Sequence, residues 1–337
     1  MSERISLAKC ATYEAEELLS SLRQALVQIG GMSSFVKPGQ KVLLKVNMLG
    51  AYHPDKAVTT HPEFVRAVIK LVKEAGGIPS VGDSPGFANP KKAAEVCGYL
   101  KVCDEENVPF VYFDQQKTIQ SLNGRRFNIA QAVLDADVII NLPKFKTHEL
   151  TGITCAVKNM FGCIPGILKA EYHVKVPTRA DFNLMLLDLL EVVRPTLNIV
   201  DAVMGMEGVG GPHSGKPKQI GLIAASKDAE AVDRVLLEAV KKTDFEFIKL
   251  LPEMKIPKII RAILLEKPVV DKKKCTGCKI CGQVCKSEAI SYHSKYPKFN
   301  YNKCIRCFCC AEMCPEHAIE VRRNWLAKVV FSLARAH

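Results

Sequence analysis

The chain has 337 residues, 48% of them hydrophobic and 24% charged, which describes a globular protein with room for one large domain and a smaller one. Its formal charge of +12, from 47 Lys plus Arg against 35 Asp plus Glu, points to anionic partners or surfaces. No run approaches the roughly 18 apolar residues of a membrane-spanning helix, and no stripe of interleaved basic and aromatic residues marks a nucleic-acid reader.

The first residues, MSERISLAKCATYEAEE, are acidic and lack an apolar core, so no secretory signal is expected and a cytoplasmic location follows. Seven short segments, ISLAKC, KVLLKVN, IPSVGDS, VPFVYFD, DVIINLP, LNIVDAVM and IGLIAAS, read as buried strands. Amphipathic periodicity predicts helices over 14–29, 62–75, 90–105 and 228–241. Thr60 and Glu63 have the spacing of a capping box before the second helix, and Gly76-Gly77 closes it. This alternation predicts an α/β fold, a mostly parallel sheet flanked by helices, over residues 1–242.

Ligands of such sheets bind beyond the C-terminal ends of the strands. The loops expected there carry Lys45 and Asn47, then Asp83 and Ser84, then Asn141 to His148, then Asp201 and Glu207. The stretch KFKTHELTGITCAVKNMFGCIPG, 144–166, follows DVIINLP directly and reads as a loop running into a closely packed helix. With LKAEYHVKVPTR after it, the sequence gathers Lys144, Lys146, His148, Lys158, Lys169 and His173, and only Glu149 and Glu171 as acids. Such an excess of cations is costly to bury unless an anion compensates it. A carboxylate, a phosphate or an acidic cofactor is therefore expected, held by Lys45, Asn47, Asp83, Lys144, Lys146 and Lys158. The alternative is that these lysines snorkel to water, that Asp83 only forms a turn, and that Cys155 and Cys163 are core residues. Residues 210–217, GGPHSGKP, approach a phosphate-binding loop, but Pro217 replaces its Ser or Thr and a strand follows where a helix is required.

HPEFVRAVIKLVKEAGG with VGDSPG, the stretch NLPKFKTHELTGITCAVKNMFGCIPG, and DAVMGMEG resemble the family called domain of unknown function 362. Its members are often fused to a ferredoxin-like tail, and the resemblance covers almost the whole chain. A fainter resemblance is to the nickel-pincer lactate racemases, through His148, Lys158, Pro165-Gly166 and His173. It implies Lys158 as tether of a nucleotide-derived cofactor, His173 as a metal ligand and His148 as the acid–base group. Ile153-Thr154-Cys155 stands where the racemases have a small, glycine-rich pair, and their C-terminal catalytic segment has no match here. A shared scaffold with a different anionic ligand is the expectation.

Residues 243–269 are apolar and interrupted by Pro252, Pro257 and Pro268, as a linker of short helices would be. Nine of the 14 cysteines fall between 275 and 314, too dense for disulfides in a reducing compartment, so they point to metal. The segments 274–290, KCTGCKICGQVCKSEAI, and 303–319, KCIRCFCCAEMCPEHAI, align at an offset of 29, each reading C-x2-C-x2-C-x3-C. The two-residue gaps let a tight loop reach different irons of one cube, whereas zinc favours separated pairs. The repeat resembles the bacterial two-cluster ferredoxins and implies a small α+β ferredoxin-type module over 270–322 with two 4Fe-4S clusters. Carried over from that family, the first cluster takes Cys275, Cys278, Cys281 and Cys314, and the second Cys304, Cys307, Cys310 and Cys285. Lys286 stands where the pattern usually has Pro, and Cys309 is a spare, packing residue.

Each oxidised cube carries about two negative charges, which lowers the net charge to roughly +8. Lys272, Lys273, Lys274, Lys279, Lys286, Lys298, Lys303 and Arg306 suit the module to an acidic redox partner protein. The last segment, 323–337, preceded by Arg322 in RRNWLAKVVFSLARAH, has an amphipathic helical pattern that docks on protein more commonly than on a membrane surface. The sequence thus predicts an iron–sulfur oxidoreductase or its electron-transfer component, acting on an anionic small molecule or cofactor at the Lys- and His-rich site. A pure electron carrier, and a non-redox enzyme or sensor with reporting clusters, stay open beside it.

Overall fold

A computed structural model describes residues 4–86, 88–176, 178–208, 211–247 and 266–322. Most of the expected linker and the whole 323–337 segment lie outside the described residues. The chain divides into two compact units, Met1–Lys169 with Asn183–Ile248, and Ala170–Phe182 with Lys249–His337.

All seven expected strands are present in the first unit: β1 (Ile5–Lys9), β2 (Lys41–Lys45), β3 (Ile78–Asp83), β4 (Phe110–Tyr112), β7 (Val138–Asn141), β10 (Leu197–Glu207) and β11 (Lys216–Ser226). A hairpin of β5 (Gln116–Gln120) and β6 (Arg126–Ala130) stands apart as its own small sheet. The main sheet runs β1-β11-β10-β7-β2-β3-β4. From β10 to β4 neighbours are parallel, and β11 is antiparallel to both β10 and β1.

Each face of the sheet is covered, as a parallel sheet requires. Ile199 and Ile223 pack with α1 (Ala15–Val27) and α2 (Pro62–Glu74), whereas Val200 and Ala224 pack with α9 (Ala229–Lys241) on the opposite side. The helix expected over 90–105 is two helices, α3 (Pro90–Val96) and α4 (Tyr99–Glu105), because Gly98 takes a left-handed φ of 81° between them. The remaining helices are α5 (Gln131–Leu134), α6 (Ala156–Asn159), α7 (Leu168–Lys175) and α8 (Arg179–Val193).

Two local expectations are corrected. Helix α2 is capped by His61, whose Nδ1 accepts from Glu63 N at 3.2 Å, while Thr60 Oγ1 instead joins Asn47 N and Leu142 O. The other end holds: Gly76 and Gly77 N–H groups return to Lys73 and Val72 carbonyls, and Gly76 has φ +81°. The stretch read as a loop and helix begins with a strand, β8 (Lys144–His148), paired to β10 in parallel and to β9 (Gly152–Thr154) in antiparallel. Pro143 separates β8 from β7, since it cannot donate to the ladder, and its carbonyl takes Asp201 N at 2.9 Å. The chain then enters α6 and a 3-10 turn, Met160–Cys163, instead of one continuous helix.

The cysteine-rich unit contains β12 (Lys267–Val270) paired with β15 (Ile319–Arg322), and β13 (Ile290–His293) paired with β14 (Tyr296–Phe299). The sequence repeat is also a conformational one. Gly277 and Arg306, Lys279 and Phe308, and Glu288 and His317 are pairs 29 residues apart, all with positive φ between 48° and 79°. Asp271 N binds Ala318 O and Asn300 N binds Ala289 O, both at 2.7 Å, again at that offset. The strand after each run therefore pairs with the strand before the other: β15 leads back to β12 ahead of the first run, and β13 leads on to β14 ahead of the second.

Candidate functional site

The first candidate site is a row of polar side chains at the C-terminal edge of the sheet. Register sets Asn198 beside Asn141, and Asn141 beside Lys45, on neighbouring strands. Asn198 Oδ1 accepts from Asn141 Nδ2 at 2.8 Å, and Asn141 Oδ1 accepts from Asn159 Nδ2 at 2.8 Å. Lys45 Nζ lies 2.8 Å from Asp83 Oδ1 and also donates to the carbonyls of Val46 and Asn159. Asp83 accepts in turn from Met48 N and Ser84 N. Gly162 closes over this pair: a Cβ there would sit 2.5 Å from both Asp83 Oδ1 and Lys45 Nζ.

Lys169 reaches the same place from α7. Its buried ammonium donates to Ser84 O at 2.7 Å, while Ser84 Oγ accepts from Gly166 N at 2.7 Å. Burial lowers the Lys169 amine to about 7; Asp83 opposes the shift, and Lys45 and Lys158 add to it. The neighbouring Cys163 thiol is pushed up to about 12 by burial. Lys158 ends α6 half-buried, with Nζ 4.7 Å from the centre of the Phe161 ring.

A second knot forms across β8 and β10. Register opposes Lys144 to Asp201, and Nζ lies 2.9 Å from Asp201 Oδ2 with both side chains buried. Tyr13 OH donates to Asp201 Oδ1 at 2.7 Å and accepts from Lys144 Nζ at 2.6 Å and from Met204 N at 3.1 Å, where β10 is irregular. Asp201 Oδ2 also accepts from His61 N at 2.9 Å. The His61 ring stacks on Tyr13, with centroids 3.7 Å apart and planes 9° from parallel. Its Nδ1 is an acceptor, so the ring proton of the neutral form sits on Nε2. Burial lowers His61 to about 4; Asp201 opposes this, and Lys144 adds to it. Burial likewise holds Lys144 below its usual range, against Asp201, and raises the Tyr13 phenol, with Asp201 acting the same way.

The compensating acids for the cationic stretch are therefore Asp83 and Asp201, supplied from β3 and β10 and not from the stretch itself. Lys146 Nζ meets Val58 O at 2.5 Å. His148 is buried, and its Nδ1 accepts from Leu150 N at 3.0 Å at the β8–β9 turn. The glycine-rich turn lies near that end, since a Cβ on Gly211 would collide with Thr147 O. Asn47 presents a buried Oδ1 with no hydrogen-bond partner among the described residues, an acceptor open to a donor from a ligand or water. His173 belongs to the other unit, buried on α7 and stacked on Phe182 at 4.5 Å. Sequence reasoning missed Tyr13, His61, Asn159 and Asn198 as members of these networks. His61 and Asn159 lie in the stretches that carry the family resemblance, but all four join through partners elsewhere in the chain, at Asp201, Asn141 and Lys45.

The other site is in the cysteine-rich unit. Cys275, Cys278, Cys281 and Cys314 line one cavity, with Lys279, Tyr292, Lys295 and Glu316. The fourth thiol comes from the second run, as the strand exchange requires. Ala318 N donates to Cys314 Sγ at 3.3 Å, and Ala289 N to Cys285 Sγ at 3.4 Å. Burial raises the Cys310 thiol, and nearby Cys307, Cys304, Cys285 and Cys281 act the same way. Among the described residues no three His, Cys, Asp or Glu side chains meet at single-ion spacing. The thiols surround a volume instead, which suits a cube with one thiolate at each iron and N–H groups aimed at sulfur.

Residues 42–238 match the family described as Domain of unknown function (DUF362), and residues 267–315 match the 4Fe-4S dicluster domain. The chain is similar to a thylakoid-associated protein of Synechocystis sp., at 42% identity over 243 residues, 72% of this chain and 75% of that one. Two solved structures bear a looser likeness. The lactate racemase apoprotein from Thermoanaerobacterium thermosaccharolyticum has 12% identity and a TM-score of 0.46, over 69% of this chain and 56% of that chain. A protein from Thermotoga maritima has 14% identity and a TM-score of 0.45, over 72% of this chain and 62% of that chain. The present chain spans less than two thirds of either solved chain. Among the described residues no helix is long and apolar enough to cross a membrane.

Proposed function

Because the chain belongs to the DUF362 family and carries a 4Fe-4S dicluster domain, we propose that it is an iron–sulfur oxidoreductase or its electron-transfer component, exchanging electrons with an anionic ligand at the strand-end site. The dicluster domain supports the iron–sulfur electron-transfer role, and the cavity bounded by thiols from both runs carries the reading further. Cys275, Cys278, Cys281 and Cys314 would hold one cube, and Cys304, Cys307, Cys310 and Cys285 the other. The clusters supply one-electron steps when bound.

The residues of the α/β unit bind, orient and move protons. Lys169, buried with Lys45 and Lys158 close by, provides positive charge for a carboxylate or phosphate and, near neutral pH, an amine able to give or take a proton. Asp83 holds Lys45 in place, and Asp201 does the same for Lys144. His61 offers a neutral Nε2–H donor, fixed by the α2 N–H at Nδ1 and by Tyr13 against its face. His148, Lys146 and Asn47 complete the proposed ligand set.

The test is native mass spectrometry on protein purified without oxygen, together with iron and acid-labile sulfide analysis. The proposal expects two four-iron cubes and a further mass that Lys169→Ala or Lys158→Ala removes. Two cubes with no anion bound under any condition would leave a carrier, and absent cubes would refute the redox reading. The relative's description as thylakoid-associated supports testing location as well. Flotation with vesicles containing anionic lipid separates a membrane-surface protein from a freely cytoplasmic one.

A further inference from the structure

The 29-residue repeat makes one half of the cysteine-rich unit an internal control for the other, and the halves differ in what surrounds their thiols. Cys278 is exposed, whereas its counterpart Cys307 is half-buried. Lys279 is exposed beside Cys278; its counterpart Phe308 is buried beside Cys307. Before the first run stand Lys272, Lys273 and Lys274, and before the second Tyr301, Asn302 and Lys303. The one basic residue the second loop adds is Arg306, opposite Gly277.

Packing gathers these lysines around one mouth. Lys279 and Lys295 both line the thiol cavity, and Lys295 lies against the loop, its Cβ 3.0 Å from where a Cβ on Gly277 would be. Lys272 and Lys295 sit over the Tyr296 ring at 5.5 and 5.3 Å, and Lys279 over the Tyr292 ring at 5.7 Å. Lys274 is taken up by Asp271 and Glu320, each at 3.6 Å, and Glu316 is the acid lining the cavity. Lys279 and Lys295 thus line the cavity beside an exposed thiol, with Lys272 next to Lys295 at the Tyr296 ring and Glu316 the acid in the lining.

We propose that electrons enter or leave at this first cysteine loop, and that the mouth framed by Lys272, Lys279 and Lys295 docks an acidic electron-carrier protein. The inference rests on the presence of two clusters and assigns the outward-facing one. One electron passes between carrier and cluster, one being oxidised as the other is reduced, and no bond or proton changes hands. Exposure shortens the path an electron must cross, and rim lysines speed encounter more than they tighten it. Redox encounters of this kind use small, transient interfaces.

The test uses the full chain with its clusters reconstituted anaerobically and a reduced acidic flavodoxin as probe, followed by stopped-flow at low and high salt. Lys279→Glu with Lys295→Glu is expected to slow the second-order rate about tenfold or more at low salt and to flatten its salt dependence. Lys298→Glu with Lys303→Glu makes the same change of net charge in the second half and is expected to slow it less than about threefold. Equal slowing by both pairs, or none by the first, overturns the docking surface. Iron, acid-labile sulfide and electron paramagnetic resonance of each reduced variant show separately whether the clusters are there, so loss of the underlying reading is distinct from loss of this one.

Discussion

At the residue scale the site is a set of ammonium groups buried against two carboxylates. Lys144 and Asp201 are 1% and 0% exposed, so removing one partner strands a charge instead of returning it to water. Asp201→Asn should therefore destabilise the fold by about 3–5 kcal/mol in urea unfolding, since a buried pair is costly to break from one side. His61 sets a pH dependence whose sign follows from its depressed value. Its folded value of about 4 lies below the ordinary 6.5, so the neutral ring is favoured by folding. The contribution is complete above pH 6.5 and is lost as the pH falls towards 4. It should be of order 1–3 kcal/mol, and His61→Asn should flatten that part of the stability curve. Lys169 behaves the same way at higher pH. Its amine is lowered from 10.5 to about 7, so its contribution is complete above 10.5 and is lost as the pH falls towards 7. Lys169→Met should accordingly stabilise the protein at pH 7, by about 1–3 kcal/mol, while abolishing ligand retention. A substitution that stabilises and disables together marks a side chain kept for a ligand.

At the element scale, the strands with continuous apolar runs were legible, and the strand that carries Lys144, Lys146 and His148 was not. KFKTH alternates, with Phe145 and Thr147 between Lys144, Lys146 and His148, which is a strand period. Both sets of side chains are buried, because β10 covers one edge and its Asp201 pairs with Lys144, so charge reads locally as solvent exposure where the fold provides none. The helix that seemed to follow fails for a related reason. Within 152–166, Gly162 serves a close backbone approach to the Lys45–Asp83 pair. Gly162→Ala should cost about 1–3 kcal/mol in thermal unfolding by forcing that pair apart. An exposed glycine such as Gly124, whose nearest contact would be 3.7 Å away, lacks such an obstacle, although its φ of +80° carries its own strain.

At the scale of the whole molecule, the cysteine spacing was legible because four ligands at fixed gaps leave few geometries, while the grouping of 170–182 with the cysteine-rich unit was not. No shift in composition marks that boundary, and only folding reveals it. The exchange of strands between the two runs has a consequence that iron analysis alone can read. β15, after Cys314, pairs with β12, before Cys275, and Cys314 lines the cavity of the first run. If each cube takes its fourth thiolate across the exchange, Cys275→Ala with Cys314→Ala removes two ligands of one cube and leaves the other complete. Cys304→Ala with Cys314→Ala removes one ligand from each. The first pair should retain about half the iron, with one intact cluster signal, and the second should lose iron from both cubes. Within-run ligation predicts the reverse, because 304 and 314 would then share a cube and 275 and 314 would not. Both double variants delete the same number of thiols, so a general loss of folding cannot produce the contrast between them.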